Sequence, residues 1–293
     1  MNKKTTIVLV IFLLFLSILL VGGMVYAIIN NFDFSGANIS SNYSTKLLEK
    51  KEISNIKDLD IDVNSADVII EENETGSIRI ELYSNDAKTY SIKEENDKIS
   101  VVLKESKNSF KIFKKGPVVR VYAPSNYSKK FIITSNVGDV KIKKFYDALL
   151  EVKSDVGDVK VSSIKKAIVT SRVGDIKIEN VEELKSSLQT GDVKIGTVSA
   201  INSKTKTGDI KINEVKKLLK LESKTGDIKI ETATIKEDSS ISSNVGDVKI
   251  KNVTGCYING KTNVGDLKIN NLDRKSDIEL TITSRVGDIK VNY

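Results

Sequence analysis

The chain has 293 residues, and its 46 Lys and Arg against 39 Asp and Glu give a formal net charge of +7. It contains one cysteine and neither histidine nor tryptophan. This composition excludes an intrachain disulfide. It also removes the histidine that most often activates a serine nucleophile.

The first segment of the chain is apolar. Residues 5–29 carry no charge, and as a helix they would extend about 37 Å, enough to cross the ~30 Å hydrocarbon core of a membrane. Lys3 and Lys4 precede this segment, so the positive-inside rule places the N-terminus in the cytoplasm and the rest of the chain outside. A cleaved signal peptide is the alternative, because residues 25–27 (Val-Tyr-Ala) resemble a cleavage site. We predict that residues 1–29 form a cytoplasmic stub and a retained transmembrane helix.

Two further regions precede the repeats. Residues 30–52 are rich in Asn, Ser and Gly at their start and predict a juxtamembrane linker. Residues 53–125 alternate apolar and polar side chains, which indicates strands. Residues 64–70 look like a degenerate copy of the later repeat, with Ala66 where a glycine would stand. Because the terminal units of a repeat protein must close off its core, residues 53–125 are predicted to be a capping region.

Residues 126–293 repeat one phrase nine times, Ser/Thr-x-Val/Thr-Gly-Asp-Val/Ile/Leu-Lys-Ile/Val, with small departures. A near-constant period of 17 to 22 residues is typical of a supersecondary unit stacked on copies of itself. We interpret the Gly-Asp pairs as the structural corners of the repeats. They are Gly138 and Asp139, Gly157 and Asp158, Gly174 and Asp175, Gly191 and Asp192, Gly208 and Asp209, Gly226 and Asp227, Gly246 and Asp247, Gly265 and Asp266, and Gly287 and Asp288.

Each repeat predicts two strands joined by a Gly-Asp corner and followed by a looser second turn. The second and fourth residues after every corner glycine are aliphatic, and this period of two is typical of a strand with one buried face. Val156 and Val159 are three residues apart and are both predicted to face inward, so the alternation changes phase at the corner. The predicted fold is an all-β, single-chain β-solenoid (β-helix-like), preceded by one transmembrane helix.

Stacking would align the nine aspartates in one column and the lysines that follow them by two residues in another. This pattern favours a solvated face of mixed charge. A stripe that binds ions is the alternative, and so is calcium at the turns, although each repeat offers one carboxylate where calcium needs several. We predict no catalytic, cofactor-binding or metal-binding residue and no cofactor.

Small inward-facing groups are also predicted. The residue three before each corner glycine is Ser or Thr in eight repeats, with Leu188 as the exception. We expect these hydroxyls to bond to turn backbone or to one another. Cys256 is expected to face inward as a small apolar residue, in phase with Ile258 and Val264.

The C-terminal end of the solenoid is predicted to be exposed. Residues 289–293 complete the ninth repeat and leave no residues for a cap. Either residues 272–275, in the longest gap between repeats, fold over the end, or the end stacks on a second copy or a partner. End-to-end self-association is therefore one predicted contact.

Residues 121–124 (Val-Tyr-Ala-Pro) and the phrase that begins at Thr134 resemble a bacterial family of proposed adhesins of unknown function, also described as Toastrack β-strand-repeat domains. The resemblance covers roughly residues 59–293. It implies an all-β repeat fold, often on membrane-anchored proteins of Gram-positive bacteria, and some relatives belong to operons for envelope stress signalling. The family has no agreed activity or catalytic residues, so the resemblance implies none here.

We therefore predict a non-enzymatic, membrane-anchored binding or adhesin-like module at the bacterial cell envelope, with extracellular repeats. Its expected partners are the membrane, a wall polymer or an integral-membrane protein, and not nucleic acid. Without Lys3 and Lys4 the outside part carries 44 basic and 39 acidic residues, and this charge of +5 would attract anionic headgroups or wall polyanions. The alternative is an envelope-stress sensor or regulator that acts on a membrane partner. A polysaccharide-cleaving β-helix enzyme is less favoured, because the acidic column is uniform and sugar-stacking tryptophan is absent.

Overall fold

A computed structural model describes residues 45–85, 87–105, 116–270 and 276–292. Residues Ser44–Tyr293 form one compact unit with its own hydrophobic core. The predicted transmembrane helix lies outside the described residues, as do residues 272–275. Within the described part, no helix is long and apolar enough to cross a membrane.

Every regular element of the described residues is a β-strand. The strands of the N-terminal part are β1 Leu47–Ile53, β2 Asp58–Ser65, β3 Asp67–Asn73, β4 Ile78–Tyr83, β5 Ala87–Glu94, β6 Lys98–Glu105, β7 Val118–Pro124 and β8 Lys130–Val137. Five long strands follow, β9 Val140–Val156, β10 Val159–Val173, β11 Ile176–Thr190, β12 Val193–Thr207 and β13 Ile210–Thr225. The C-terminal strands are β14 Ile228–Thr234, β15 Ser239–Val245, β16 Val248–Thr254, β17 Tyr257–Val264, β18 Leu267–Ile269, β19 Glu279–Val286 and β20 Ile289–Val291. The prediction of an all-β fold is confirmed.

The strands wind into a β-solenoid whose rungs pair in parallel and in register. Val159 pairs with Ile176, and Lys160 pairs with Lys177, so equivalent residues of successive repeats stand in columns. Strands β9 to β13 each run from one Gly-Asp corner to the next. The second bend of these rungs therefore lies within a continuous strand, where the sequence predicted a separate, looser turn. The predicted β-solenoid is confirmed.

The corners divide the pairing into two ladders. The pre-corner ladder follows the order β5, β6, β2, β8, the second halves of β9 to β13, β15, β19 and β17. The post-corner ladder follows the order β1, β4, β7, β3, the first halves of β9 to β13, β14, β16, β20 and β18. The hydrophobic core consists of the inward-facing residues of both ladders.

The N-terminal end carries antiparallel strands. Strands β1, β4 and β5 pair antiparallel with their neighbours, whereas the rungs pair in parallel. Ala66 takes the corner position before Gly138, and the N–H of Ala66 donates to the carbonyl oxygen of Val137 at 3.0 Å. The rings of Tyr127 and Phe131 stack beneath this end with centroids 4.4 Å apart. Strand β1 lies within residues 30–52 except for its last residue, in the region that the sequence assigned to the linker.

The last two repeats stack in the opposite order to their order in the chain. Strand β19 pairs with both β15 and β17, and β20 pairs with both β16 and β18. The rung with Gly287 is therefore inserted between the rungs with Gly246 and Gly265. The expectation that residues 289–293 form the exposed end is wrong, because Val291 is 0% exposed. A predicted end-to-end contact would instead involve β17 and β18.

The residue before each corner glycine faces solvent. Val156 is 36% exposed, although the sequence predicted an inward position, and Val264 is 61% exposed. The two residues before the glycine both point outward, so the alternation of inward and outward side chains is interrupted before the glycine and not at it. Cys256 is fully buried, as predicted, but it is not in phase with Val264.

Candidate binding surface

The nine Gly-Asp corners form a continuous column of hydrogen bonds, here called the corner spine. The corner glycines have φ between 132° and 140°, a region that side chains other than glycine rarely adopt. The backbone N–H of each corner aspartate donates to the Oδ1 atom of the aspartate in an adjacent rung, at 2.8 to 3.0 Å. Asp67 begins the column, and burial raises the pKa of its carboxyl.

Lysines neutralise most of the second carboxylate oxygens of the spine. In six rungs the Nζ atom of the lysine two residues on lies 2.9 to 3.5 Å from Oδ2, namely Lys141, Lys160, Lys194, Lys211, Lys229 and Lys268. For Asp158 and Asp209, burial alone would raise the pKa. The hydrogen bonds from the lysine and from the next backbone N–H outweigh it, so both pKa values are lowered. Most charges of the spine are therefore compensated within the fold.

The predicted inward hydroxyls fall into two groups. The hydroxyls of Ser223 and Ser243 lie 3.4 Å from the carbonyl oxygens of Gly226 and Gly246, as expected for bonds to turn backbone. The Thr262 hydroxyl likewise donates to the carbonyl oxygen of Gly287 at 2.9 Å, and that of Ser284 lies 3.5 Å from the carbonyl oxygen of Gly246. Four others are buried without a hydrogen-bond partner among the described residues, and they are Ser135, Ser154, Ser171 and Thr205. Because the chain contains no histidine, these hydroxyls lack the usual base of a serine nucleophile.

The outer surface of the post-corner ladder is electrically balanced. Its nine spine aspartates face nine lysines. The fifth and sixth positions after each glycine add three lysines and three glutamates, namely Lys143, Lys144, Lys251, Glu179, Glu214 and Glu231. A shallow depression of about 550 Å³ lies on this surface beside Gly196 and is lined by Lys177, Lys194 and Lys211. Lys194 pairs with Asp175 and Asp192, and Lys211 pairs with Asp209, so two of the three lysines that line this depression are compensated by spine aspartates.

The outer surface of the pre-corner ladder carries the charge surplus and is here called the basic face. It comprises the residues two, four and six before each corner glycine. Nine of these are cations, Lys153, Arg172, Lys185, Lys204, Lys206, Lys220, Lys224, Lys261 and Arg285, and all nine are exposed. Three are acids, Glu151, Asp155 and Glu222, so the face has a net charge of +6.

Few of the cations on the basic face have a carboxylate partner. Within the described residues, Arg172 pairs with Asp155 at 3.8 Å and Lys204 pairs with Glu222 at 2.7 Å. The other seven form no ion pair within 4.0 Å there. This face differs from the corner spine, in which most lysines meet a carboxylate. The surplus is therefore available to an external anion.

A ridge of exposed β-branched residues borders the basic face at the corner. Six valines lie on it with exposed fractions of 36% to 61%, namely Val137, Val156, Val173, Val245, Val264 and Val286. Thr190, Thr207 and Thr225 replace valine in three consecutive rungs. The ridge is thus apolar towards both ends and polar in the middle.

A second group of charges lies on the cap and pairs internally. The guanidinium carbon of Arg79 is 4.0 Å from the ring centroid of Tyr122, and Arg79 Nε is 3.3 Å from Glu81. The Tyr83 hydroxyl donates to Glu81 at 2.7 Å, and burial together with this carboxylate raises the pKa of Tyr83 to about 12. This cluster adds no comparable free charge.

The corners and their lysines were predicted from the amino-acid sequence, but the basic face was not. The nine cations occupy variable positions, so no motif marks them. Counting charge separately at each position of the aligned repeats would have found them, because registered stacking brings equal positions together. Among the described residues, no group of three or more Cys, Asp or Glu side chains could hold a metal ion.

The Toastrack DUF4097 family model matches residues 56–216 and 181–293. The chain belongs to this family. No curated protein sequence matches this Toastrack chain. A protein proposed to be an adhesin, from Bacteroides fragilis NCTC 9343, has a solved structure with a TM-score of 0.47 and 16% identity, which covers 85% of this chain and 99% of its own. The solved structure of a protein proposed to bind lipid, from Parabacteroides distasonis ATCC 8503, has a TM-score of 0.40 and 12% sequence identity, and the match covers 83% of this chain and 96% of that one. The solved structure of a protein proposed to act in cell adhesion, from Clostridium sporogenes ATCC 15579, has a TM-score of 0.28 and 13% sequence identity, and the match covers 84% of this chain and 99% of that one.

Proposed function

We propose that this Toastrack protein is a non-enzymatic, adhesin-like binding module of the bacterial cell envelope. It is held at the membrane by residues 1–29 and binds through its basic face. The observation that carries this proposal is the separation of charge between the two outer surfaces, +6 on the pre-corner face and zero on the post-corner face. A rung-by-rung scaffold that concentrates its net positive charge on one outer surface is suited to holding an extended anionic surface or chain.

The corner spine supports binding over catalysis. A glycosidase needs two carboxylates free to act as acid and as base or nucleophile. Here each spine carboxylate with a further rung stacked on it accepts a hydrogen bond from the backbone N–H of the aspartate in that rung. Asp158, for example, accepts from the N–H of Asp175 at 2.9 Å. Most also meet a lysine. These groups are committed to the scaffold in the same way along the column, so no local pair of spine carboxylates is set apart for chemistry.

The anchor can be tested on intact cells. If residues 5–29 are a retained helix, the protein should fractionate with the membrane, and protease added outside should digest the repeats. Recovery of a soluble form that begins near Ile28 would show that the segment is cleaved and would contradict the anchor.

Envelope binding can be tested with the compact unit, residues 44–293. We expect this unit to co-sediment with isolated bacterial envelopes and to be released by salt, because the free cations are exposed and screened readily. Failure to co-sediment at low salt would contradict the proposal. Retention of one defined integral-membrane protein after detergent extraction would favour the stress regulator instead.

A further inference from the structure

The cations of the basic face are concentrated in three consecutive rungs. The rungs with corners at Gly191, Gly208 and Gly226 contain five cations and one acid, a net charge of +4. The other six rungs share four cations and two acids, a net charge of +2. We call the cations of these three rungs the central patch, and they are Lys185, Lys204, Lys206, Lys220 and Lys224.

Two lysines of the central patch are stacked on each other without a counter-ion. Thr205 pairs with Ser223 and Thr207 pairs with Thr225, so Lys206 and Lys224 lie side by side in neighbouring strands. Parallel strands are about 4.8 Å apart, and like charges placed opposite each other destabilise a sheet. Within the described residues neither lysine has an ion-pair partner, whereas Lys204 beside them pairs with Glu222. An anion bound from outside would remove this repulsion.

The neighbours of these lysines are hydrogen-bonding groups. The corner ridge changes from valine to Thr190, Thr207 and Thr225 in these same three rungs, and Gln189 adjoins Lys206 in its column. An anionic membrane would favour apolar side chains next to the cations, yet the exposed valines lie in the rungs on either side. Hydroxyls, an amide and ammonium groups together suit a hydrated anion with several oxygen acceptors.

We propose that the central patch binds a linear polyanion whose phosphate or carboxylate groups repeat along the chain. The free cations are about 5 Å apart between rungs and up to about 13 Å apart along a strand, so they contact several charges of one chain. The basic face has no aromatic side chain at the central patch for stacking nucleic-acid bases. This inference rests on the proposed function and specifies its ligand.

The test compares two double variants of the unit comprising residues 44–293. K206Q/K224Q removes two charges from the central patch, and K143Q/K144Q removes two exposed charges from the post-corner surface. The probes are poly(glycerol phosphate), polygalacturonate, and vesicles of phosphatidylglycerol, measured by calorimetry and sedimentation at several salt concentrations. Thermal melting should show that K206Q/K224Q is at least as stable as the native unit, because it removes a repulsion.

We expect K206Q/K224Q to weaken binding of at least one polymer roughly 10-fold and to reduce the slope of log affinity against log salt by about 1 to 2. K143Q/K144Q should change neither quantity appreciably. The polymer that binds then identifies phosphate or carboxylate as the recognised group. Equal weakening by both variants, no binding of either polymer, or binding of the vesicles alone would overturn the inference. If envelope binding persists in those cases, the proposed function stands and only the ligand is wrong.

Discussion

The inverted order of the last two rungs can be tested by placing a carboxylate in each. Val291 lies in β20 between Ile250 of β16 and Ile269 of β18, and it is fully buried. Leu267 lies in the outermost strand β18 and is 47% exposed. The pair Val291→Asp and Leu267→Asp therefore compares an interior rung with the terminal rung, using the same introduced group.

The expected magnitudes follow from burial. Val291→Asp removes a buried valine, which contributes about 1.5–3 kcal/mol, and it introduces a carboxylate that costs roughly 3–5 kcal/mol if it stays charged and unpaired. Detachment of the last rungs limits the total, since β20 makes only three residue pairs with each neighbour. We expect a loss of about 3–5 kcal/mol in the free energy of unfolding the C-terminal rungs. Leu267→Asp should cost about 1 kcal/mol, because half of that side chain already contacts water.

Hydrogen exchange measures this difference rung by rung, and urea denaturation of residues 44–293 gives the global effect. Val291→Asp should accelerate exchange in β16, β18 and β20, whereas Leu267→Asp should affect β18 alone. If the rungs stacked in chain order, β20 would be outermost and the two results would exchange places. A Val291→Asp variant within about 1 kcal/mol of the native unit, together with a costlier Leu267→Asp, would refute the reasoning.

Four further predictions concern the corners and the terminal rung. Gly208→Ala places a Cβ 2.0 Å from the carbonyl oxygen of Gly191 at a φ of 133°, and it should cost on the order of 3–5 kcal/mol in urea denaturation. Gly76→Ala, which meets nothing within 4 Å, is the control and should change stability by less than about 0.5 kcal/mol. Asp209→Ala should lower the melting temperature more than Asp209→Asn, because the amide oxygen can still accept the N–H of Asp227 that now lies 3.0 Å from Oδ1. The lowered pKa of Asp209 means that the ionised carboxylate stabilises the fold above its ordinary pKa of 3.8 and that this contribution is lost as pH falls through the folded value. The melting-temperature difference between the native unit and the Asp209→Asn variant should thus be present at about pH 6 and shrink towards about pH 2; a constant difference would argue against it. Gly260→Val should loosen only the terminal rung, since a Cβ there would lie 2.3 Å from Cδ1 of Ile269, and faster exchange confined to β17 and β18 would show this.

The repeating architecture could be predicted from the amino-acid sequence. Nine Gly-Asp pairs at near-constant spacing specify rungs that stack in register, and the aliphatic positions after each glycine specify the buried columns. Both are local patterns with a fixed period, so they can be recognised without knowing which segments meet. The inward position of Cys256 was also predicted, although the predicted shared phase with Val264 was wrong, because Val264 is exposed.

The order of the last rungs and the location of the free charge emerged only from the folded structure. Both final repeats fit the phrase, but at one inward position the buried rung has Ile282 where the terminal rung has Gly260. The rung with Ile282 lies inside the stack, and the rung with Gly260 closes the end. The basic face depends on which variable residues become neighbours across strands. Lys206 and Lys224 are 18 residues apart in the sequence, and only the registered pairing of β12 with β13 places them side by side. They form a charged patch for this reason, because electrostatic interactions depend on distance in space and not along the chain.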